Sequence, residues 1–141
     1  MHSLSMGADE INAFLAAERI VRVGFDAADE RYLIPLGYVW LEGALCCLTT
    51  PGRKTSMAAI NPRVSFQVDD SCRGGPFEWK SVTGEATFEV VEDALAAARL
   101  LPALYAKFPD TPLWARQEFA VRNLVVARIR PTALTGRALS K

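Results

Sequence analysis

Apolar and polar residues alternate with a period of two over much of the chain. Val21, Val23 and Phe25 alternate with Arg22, Gly24 and Asp26, which predicts a half-buried strand over 20–26. After a polar turn at 27–30, residues 31–41 form a second strand that is apolar on both faces. Tyr32, Ile34, Leu36, Tyr38 and Trp40 line one face, and Leu33, Val39 and Leu41 the other. Pro35 sits inside this strand and cannot donate to a ladder, so the strand is expected to bulge or to have an open edge there. Glu42-Gly43 makes a tight turn into a third strand over 44–50, giving a hairpin. Val64, Phe66 and Val68 mark a fourth strand. Residues 79–90 form a long fifth, with Val82, Ala86, Phe88 and Val90 on one face and a bulge or close backbone approach at Gly84. Residues 121–130 form the last strand, which Pro131 ends.

The intervening segments carry the helical period. Ile11, Phe14 and Leu15 fall at i, i+3 and i+4, so residues 10–18 read as a short helix with Asp9 as its N-cap. Residues 53–60 read as a second, stopped by Asn61-Pro62. An alanine- and leucine-rich helix spans 92–105, kinked or broken by Pro102, and another short helix is placed over 112–119. Residues 69–76 are read as a loop. Six strands interleaved with short helices and joined by tight turns predict a mainly β (α+β) domain. The expected architecture is a six-stranded antiparallel sheet closed into a small barrel with flanking helices, occupying residues 1–141 as one domain. The regular strand–helix alternation of a doubly wound fold is absent.

Charge narrows the class of function. Sixteen basic residues balance sixteen acidic ones, against the electropositive footprint of a general nucleic-acid binder and against a polybasic membrane surface. The balance is uneven along the chain. The first 50 residues hold seven acids and three bases, and residues 119–141 hold five bases and no acid. The basic end therefore meets either an anion or the acidic front of the same or another subunit. Three cysteines, two of them adjacent at Cys46 and Cys47, make no disulfide framework and read as small buried hydrophobes. Histidine occurs once, at His2, so a histidine-based triad or a His/Cys zinc site is not expected and no metal ligands are assigned. No leader peptide or membrane-spanning run is read, and the expectation is a cytoplasmic protein.

The segment with the most pointed chemistry is Leu48-Thr49-Thr50-Pro51-Gly52-Arg53-Lys54-Thr55. Two hydroxyls end a strand, a glycine permits a tight turn, and two cations and a third hydroxyl open a helix. Free N–H groups and partial positive charge at a helix start suit a phosphate, as do the Arg53 fork and the Lys54 point charge. The nucleotide P-loop spacing is not met. The bland alternative is a solvated basic turn.

The stretch RYLIPLGYVWLEGALCCLTTPGRKTSMAAINPRVSFQVDD, followed by WKSVTGEATFEVVED and the terminal VARIRPTALTGR, resembles the flavin-binding split-barrel family related to pyridoxamine 5'-phosphate oxidase. The resemblance spans roughly residues 10–137. It implies a dimeric split barrel with FMN in two clefts at the subunit interface. Carried over by position, Arg53 and Lys54 would hold the FMN phosphate, with Thr49, Thr50 and Thr55 beside it. Leu33, Ile34, Pro35 and Leu36, together with Tyr32, would line the flavin ring, largely through backbone groups such as the N–H of Leu36. Gln67, Ser81 and Val82 are contacts expected from neighbouring strands. Trp79 is a candidate to stack on a ring, while Trp40 and Trp114 are read as structural. Leu36 stands where the oxidase has a base, and the oxidase's arginine-rich C-terminal region has no clear counterpart. Both departures point away from vitamin B6 oxidation. The resulting expectation is an FMN-dependent oxidoreductase acting on an unknown small molecule. The alternatives are a non-catalytic flavin- or haem-binding protein and a reductase using the deazaflavin coenzyme.

Overall fold

The computed structural model describes residues 2–110 and 125–140. The helix expected at 112–119, Trp114 and the start of the last expected strand lie outside the described residues. The elements are β1 (His2–Ser5), α1 (Ala8–Ala17), β2 (Ile20–Ala27), β3 (Glu30–Leu41), β4 (Ala44–Thr49), α2 (Arg53–Ile60), β5 (Arg63–Asp69), α3 (Ser71–Gly74), β6 (Trp79–Val91), α4 (Ala94–Lys107) and β7 (Val125–Ser140). All strand pairs are antiparallel, in the order β1-β7-β4-β3-β2-β5-β6, and β6 pairs again with β7. That last pairing closes six strands into a split barrel, with β1 added to the far end of β7 as a seventh.

Local chemistry explains the corners. Ala28 and Asp29, and then Glu42 and Gly43, all have positive φ, the signature of two-residue hairpin turns matched to strand twist. β7 does not end at Pro131. It runs to Ser140, because Pro131 falls where the β6–β7 register shifts, between Glu85/Ala133 and Ala86/Pro131, and this leaves Thr132 unpaired. A proline at such a bulge leaves no ladder position empty. Gly84, one residue earlier, faces the bulge so closely that a Cβ there would stand 2.0 Å from the Ala133 carbonyl oxygen.

Four further expectations are corrected. Residues 2–5, to which the sequence pattern assigns no element, are a strand paired with residues 137–140. The cap of α1 is Gly7, and Asp9 lies in its first turn, where its charge favours the helix dipole. α4 continues through Pro102, capped by the Asp93 side chain on the Leu95 N–H. Residues 71–74, read as loop, are the short helix α3.

Two apolar clusters result. The barrel interior holds Leu15, Val21, Val23, Phe25, Tyr38, Val68, Val82 and Ile129, closed by Ile11 and Phe14 of α1 and by Met57 and Ala58 of α2. α1 is fixed where the Tyr38 hydroxyl donates to the Leu15 carbonyl (2.7 Å) and the Trp40 indole N–H to Asn12 (2.7 Å). A second cluster outside the barrel packs Leu100 of α4 against Ala44, Cys46, Val91 and Val126. Cys46 and Cys47 are buried free thiols, and Cys72 is an exposed one.

Arg128 and Arg130 both pair with Glu89 on the adjacent strand β6. Among the described helices, none is long and apolar enough to cross a membrane.

Candidate functional site

The site follows from β3 having two partners in succession. Among the described residues, 30–37 pair only with β2, and 38–41 pair with β4. Beyond Cys47, β4 leaves β3 and continues on β7 through Thr49, so the first half of β3 has an open edge among the described residues. The Tyr38 N–H donates to the Arg19 carbonyl (3.0 Å), extending the β2–β3 ladder and fixing its parity. Even-numbered β3 residues therefore bond to β2, and the backbone groups of Arg31, Leu33 and Pro35 face the open edge. The Leu36 N–H is thereby committed to the ladder, opposite Val21. Leu33 is the residue beside Pro35 whose N–H faces outward.

Thr50-Pro51-Gly52 then turns the chain into α2. The Thr55 hydroxyl accepts from the Gly52 N–H (2.9 Å) and donates to the Gly52 carbonyl (3.0 Å), so it is occupied in capping the helix. The first helical bond runs from Ser56 to Gly52. The N–H groups of Arg53, Lys54 and Thr55 have no intrahelical acceptor. The Arg53 guanidinium lies 4.4 Å above the Tyr32 ring and 3.7 Å from the Glu30 carboxylate. Lys54 is half-buried and has no ion-pair partner among the described residues. Thr49 is buried and Thr50 exposed at the strand end. Arg53, Lys54, Thr55, Tyr32 and the β3 edge thus come together, as the sequence proposed. Glu30 was not expected there. Its contact spans 23 positions and depends on the hairpin turn, so no local signal marks it.

The remaining candidates separate. Leu33 (72% exposed) and Pro35 point outward, whereas Ile34 and Leu36 pack against the core. Gln67 sits on the outer face with Arg22 (3.3 Å), Asp69 (2.5 Å) and Ser81 (3.3 Å). Burial pushes the Asp69 carboxyl up, but hydrogen bonds from Gln67 and Ser71 outweigh it and hold the group below its usual range. Gln67 and Ser81 form one polar network, which β2 separates from the β3 edge. Val82 is fully buried with neighbours on both strand edges, so its side chain and backbone are both engaged in the core and ladders. Trp79 donates to the Pro76 carbonyl (3.1 Å). It lies seven rows along β6 from the Ala86 row that carries Tyr32, roughly 23 Å at strand rise. Within one chain it does not reach Arg53. Glu85 pairs with Arg63.

At the other end of the open edge, the C-terminal turn of α4 straddles β3. Phe108 lies on Gly37, where a Cβ would stand 3.2 Å from the ring. A small apolar cavity of about 160 Å³ opens between Gly37, Leu48, Leu104 and Phe108. The Lys107 ammonium sits 4.3 Å from the Tyr38 ring centroid, buried and without a hydrogen-bond partner. Burial, then repulsion from Arg19, pull it down to about 8 from 10.5. Between these values the unfolded chain holds a proton that the folded chain has released, so stability rises with pH through that window and is lowest below it. Lys107→Met is expected to raise the midpoint of urea unfolding at pH 7 and to flatten its rise between pH 8 and 10. An unchanged slope would show that Lys107 is solvated in the folded protein.

The family model described as pyridoxamine 5'-phosphate oxidase matches residues 7–138. The fold is similar to the crystal structure of an FAD-binding protein from Mesorhizobium loti, with 27% identity, TM-score 0.79, and 99% of this chain and 100% of that one covered. It is also similar to a haem storage protein from Vibrio cholerae, with 16% identity, TM-score 0.77 and coverage of 94% and 96%. A third likeness is to an FAD-binding protein from Mycobacterium smegmatis, with 20% identity, TM-score 0.66 and coverage of 98% and 99%. An uncharacterized protein of Rhizobium meliloti is 30% identical over 77 residues; the match spans 55% of this chain and only half of that protein's length.

Proposed function

Because the chain belongs to the pyridoxamine 5'-phosphate oxidase family, we propose that it binds a flavin nucleotide and acts as a flavin-dependent oxidoreductase on a small molecule. The observation that carries this reading is the meeting of the α2 start with the open edge of β3. Arg53, Lys54, which has no ion pair among the described residues, and three N–H groups without an intrahelical acceptor suit a phosphate, and an edge with outward backbone groups adjoins them. That donor set fits FMN and any flavin that shares its ribityl phosphate, including FAD and the deazaflavin coenzyme. The FAD-binding relative at 27% identity supports the same class.

When bound, the flavin supplies the hydride chemistry. Arg53 and Lys54 bind and orient the phosphate. The outward N–H of Leu33 would be available to the ring edge, and Phe108, Leu48 and Leu104 would keep water from the far end. Leu36 stands where the oxidase has a base and faces the core, so vitamin B6 phosphates are poor candidate substrates. Haem held by histidine is disfavoured by one observation: the sole histidine, His2, is on the exposed strand β1, across the barrel from the cradle.

Ile20 and Leu33 expose apolar side chains on the outer face of β2 and β3. A symmetric homodimer would cover them and roof the cofactor. Sedimentation at micromolar concentration is expected to give a dimer, and a monomer there would refute it. Reconstitution with FMN or FAD, followed by anaerobic NADH or NADPH, tests the main reading. Flavin binding with bleaching supports the oxidoreductase. Binding without reduction by either donor supports a flavin carrier. No binding of any flavin overturns both.

A further inference from the structure

The apolar cavity under α4 lies at the fork where β3 and β4 part. Tyr38 and Cys47 form the last β3–β4 pair, so Gly37 and Leu48 are the first residues on either side of the fork. Tyr38 enters the barrel core, which by alternation puts Gly37 on the outer face, and Leu48 packs with the outer apolar cluster. Helix α4 covers the fork from that same side with Leu104, and Phe108 follows it. The cavity between these residues and Tyr105 measures about 160 Å³.

Its size, its wall and its charge together define what fits. An apolar cavity of about 150 Å³ lined by Leu, Ile and Phe takes up benzene, so the volume here is that of one six-membered ring. A second, fused ring has no room unless Phe108 moves, and Phe108 is held in place. Its ring sits so close to the strand that a Cβ on Gly37 would stand 3.2 Å from it. The Arg19 guanidinium lies 4.8 Å from its centroid and donates to the Lys107 carbonyl (3.1 Å), which clips the turn to the start of β2. Among the described residues no charged side chain lines the cavity, and the Lys107 ammonium lies instead against the ring of Tyr38, a core residue. A charged group lodged there would be buried without a partner, so the walls select a neutral ligand.

We propose that this cavity is a binding site for one neutral, unfused six-membered aromatic ring, and that such a ring is the part of the small-molecule substrate the protein recognises. As a substrate subsite it deepens the flavin reading above and rests on it; as a ring-binding cavity it does not. Gly37 ends the odd-numbered series that faces the open edge of β3, so a ring lodged at the fork lies next to a flavin laid along that edge. Phe108 offers the ring an aromatic surface, and Leu48 and Leu104 act as specificity-determining residues by setting the length of the slot.

The test is a fluorine NMR titration of the full chain with fluorobenzene, fluoronaphthalene and fluorobenzoate, first without flavin and then with FMN or FAD bound. Wild type without flavin is expected to bind fluorobenzene saturably and at least about tenfold more tightly than either of the other two. Leu48→Phe fills the slot and is expected to weaken fluorobenzene at least about tenfold. Leu104→Ala lengthens the slot and is expected to bring fluoronaphthalene within about threefold of fluorobenzene. Bound flavin is expected to leave the fluorobenzene affinity within about threefold. Absence of saturable fluorobenzene binding, equal binding of all three probes, or an unchanged affinity in Leu48→Phe would each overturn the site. If one variant fails to fold, the wild-type series and the other variant decide. Competition between flavin and fluorobenzene would overturn the substrate role, because the cofactor would then fill the cavity itself. Fluorobenzene binding to a chain that takes up no flavin would support the cavity and overturn the flavin reading, whereas flavin binding without fluorobenzene binding would do the reverse.

Discussion

Arg53→Ala combined with Lys54→Ala is expected to weaken FMN on the order of a hundredfold while leaving riboflavin within about twofold. A hydrogen bond to a charged group contributes about 1.5–3 kcal/mol, and two such groups would meet the phosphate, so a loss of roughly 3 kcal/mol is a conservative sum. The two single variants should differ. Arg53 already has a carboxylate and an aromatic face as partners, so binding phosphate exchanges one partner for another. Lys54 has no such partner and gains a full contact. Lys54→Ala should therefore carry the greater part of the loss, and raising salt should erode the difference between wild type and variant. Equal losses for FMN and riboflavin would show that the pair supports the fold or the ring rather than the phosphate.

Gly84→Ala is expected to be the most damaging small substitution in the barrel. Its Cβ would fall 2.0 Å from the Ala133 carbonyl oxygen and 2.9 Å from Leu134 Cα, both backbone atoms. These atoms belong to the β6–β7 pairing that closes the ring. They give way only by opening the bulge, at a cost of about 3 kcal/mol or more. For a domain of this length that lowers Tm by roughly 10 °C. Gly52→Ala is the control. Its Cβ would meet nothing within 4 Å and its backbone is extended, so Tm should move by only a degree or two. A Gly84→Ala protein that melts with wild type would mean the bulge is soft.

Strands were legible where one face is buried. Val21, Val23 and Phe25, or Val64, Phe66 and Val68, announce period two because every second residue enters the barrel. The errors fall where pairing partners, rather than local pattern, decide. Residues 2–5 are exposed throughout and carry no apolar alternation. They are a strand only because the end of β7 lies beside them. Pro131 reads as a terminator until the bulge opposite Gly84 supplies a place for it. The site divides in the same way. Arg53, Lys54 and Thr55 are contiguous and follow a glycine, so their convergence is local. Glu30 joins them only through the hairpin register of β2 with β3. Trp79 was proposed for its chemistry, and within one chain the length of β6 carries it to the far end of the barrel.

The unpaired edge of β3 has a consequence for handling the protein. A strand edge with free N–H and C=O groups and apolar residues on both faces is a template for pairing with other chains. Pro35 and the charged Glu30 and Arg31 interrupt that edge, much as gatekeeper residues flank aggregation-prone segments. Between them only Tyr32-Leu33-Ile34 is left uninterrupted, too short for a fibril core yet long enough to stick. Chains made faster than their cofactor is supplied should therefore accumulate as insoluble material, and supplementing the growth medium with riboflavin should shift the yield toward soluble protein.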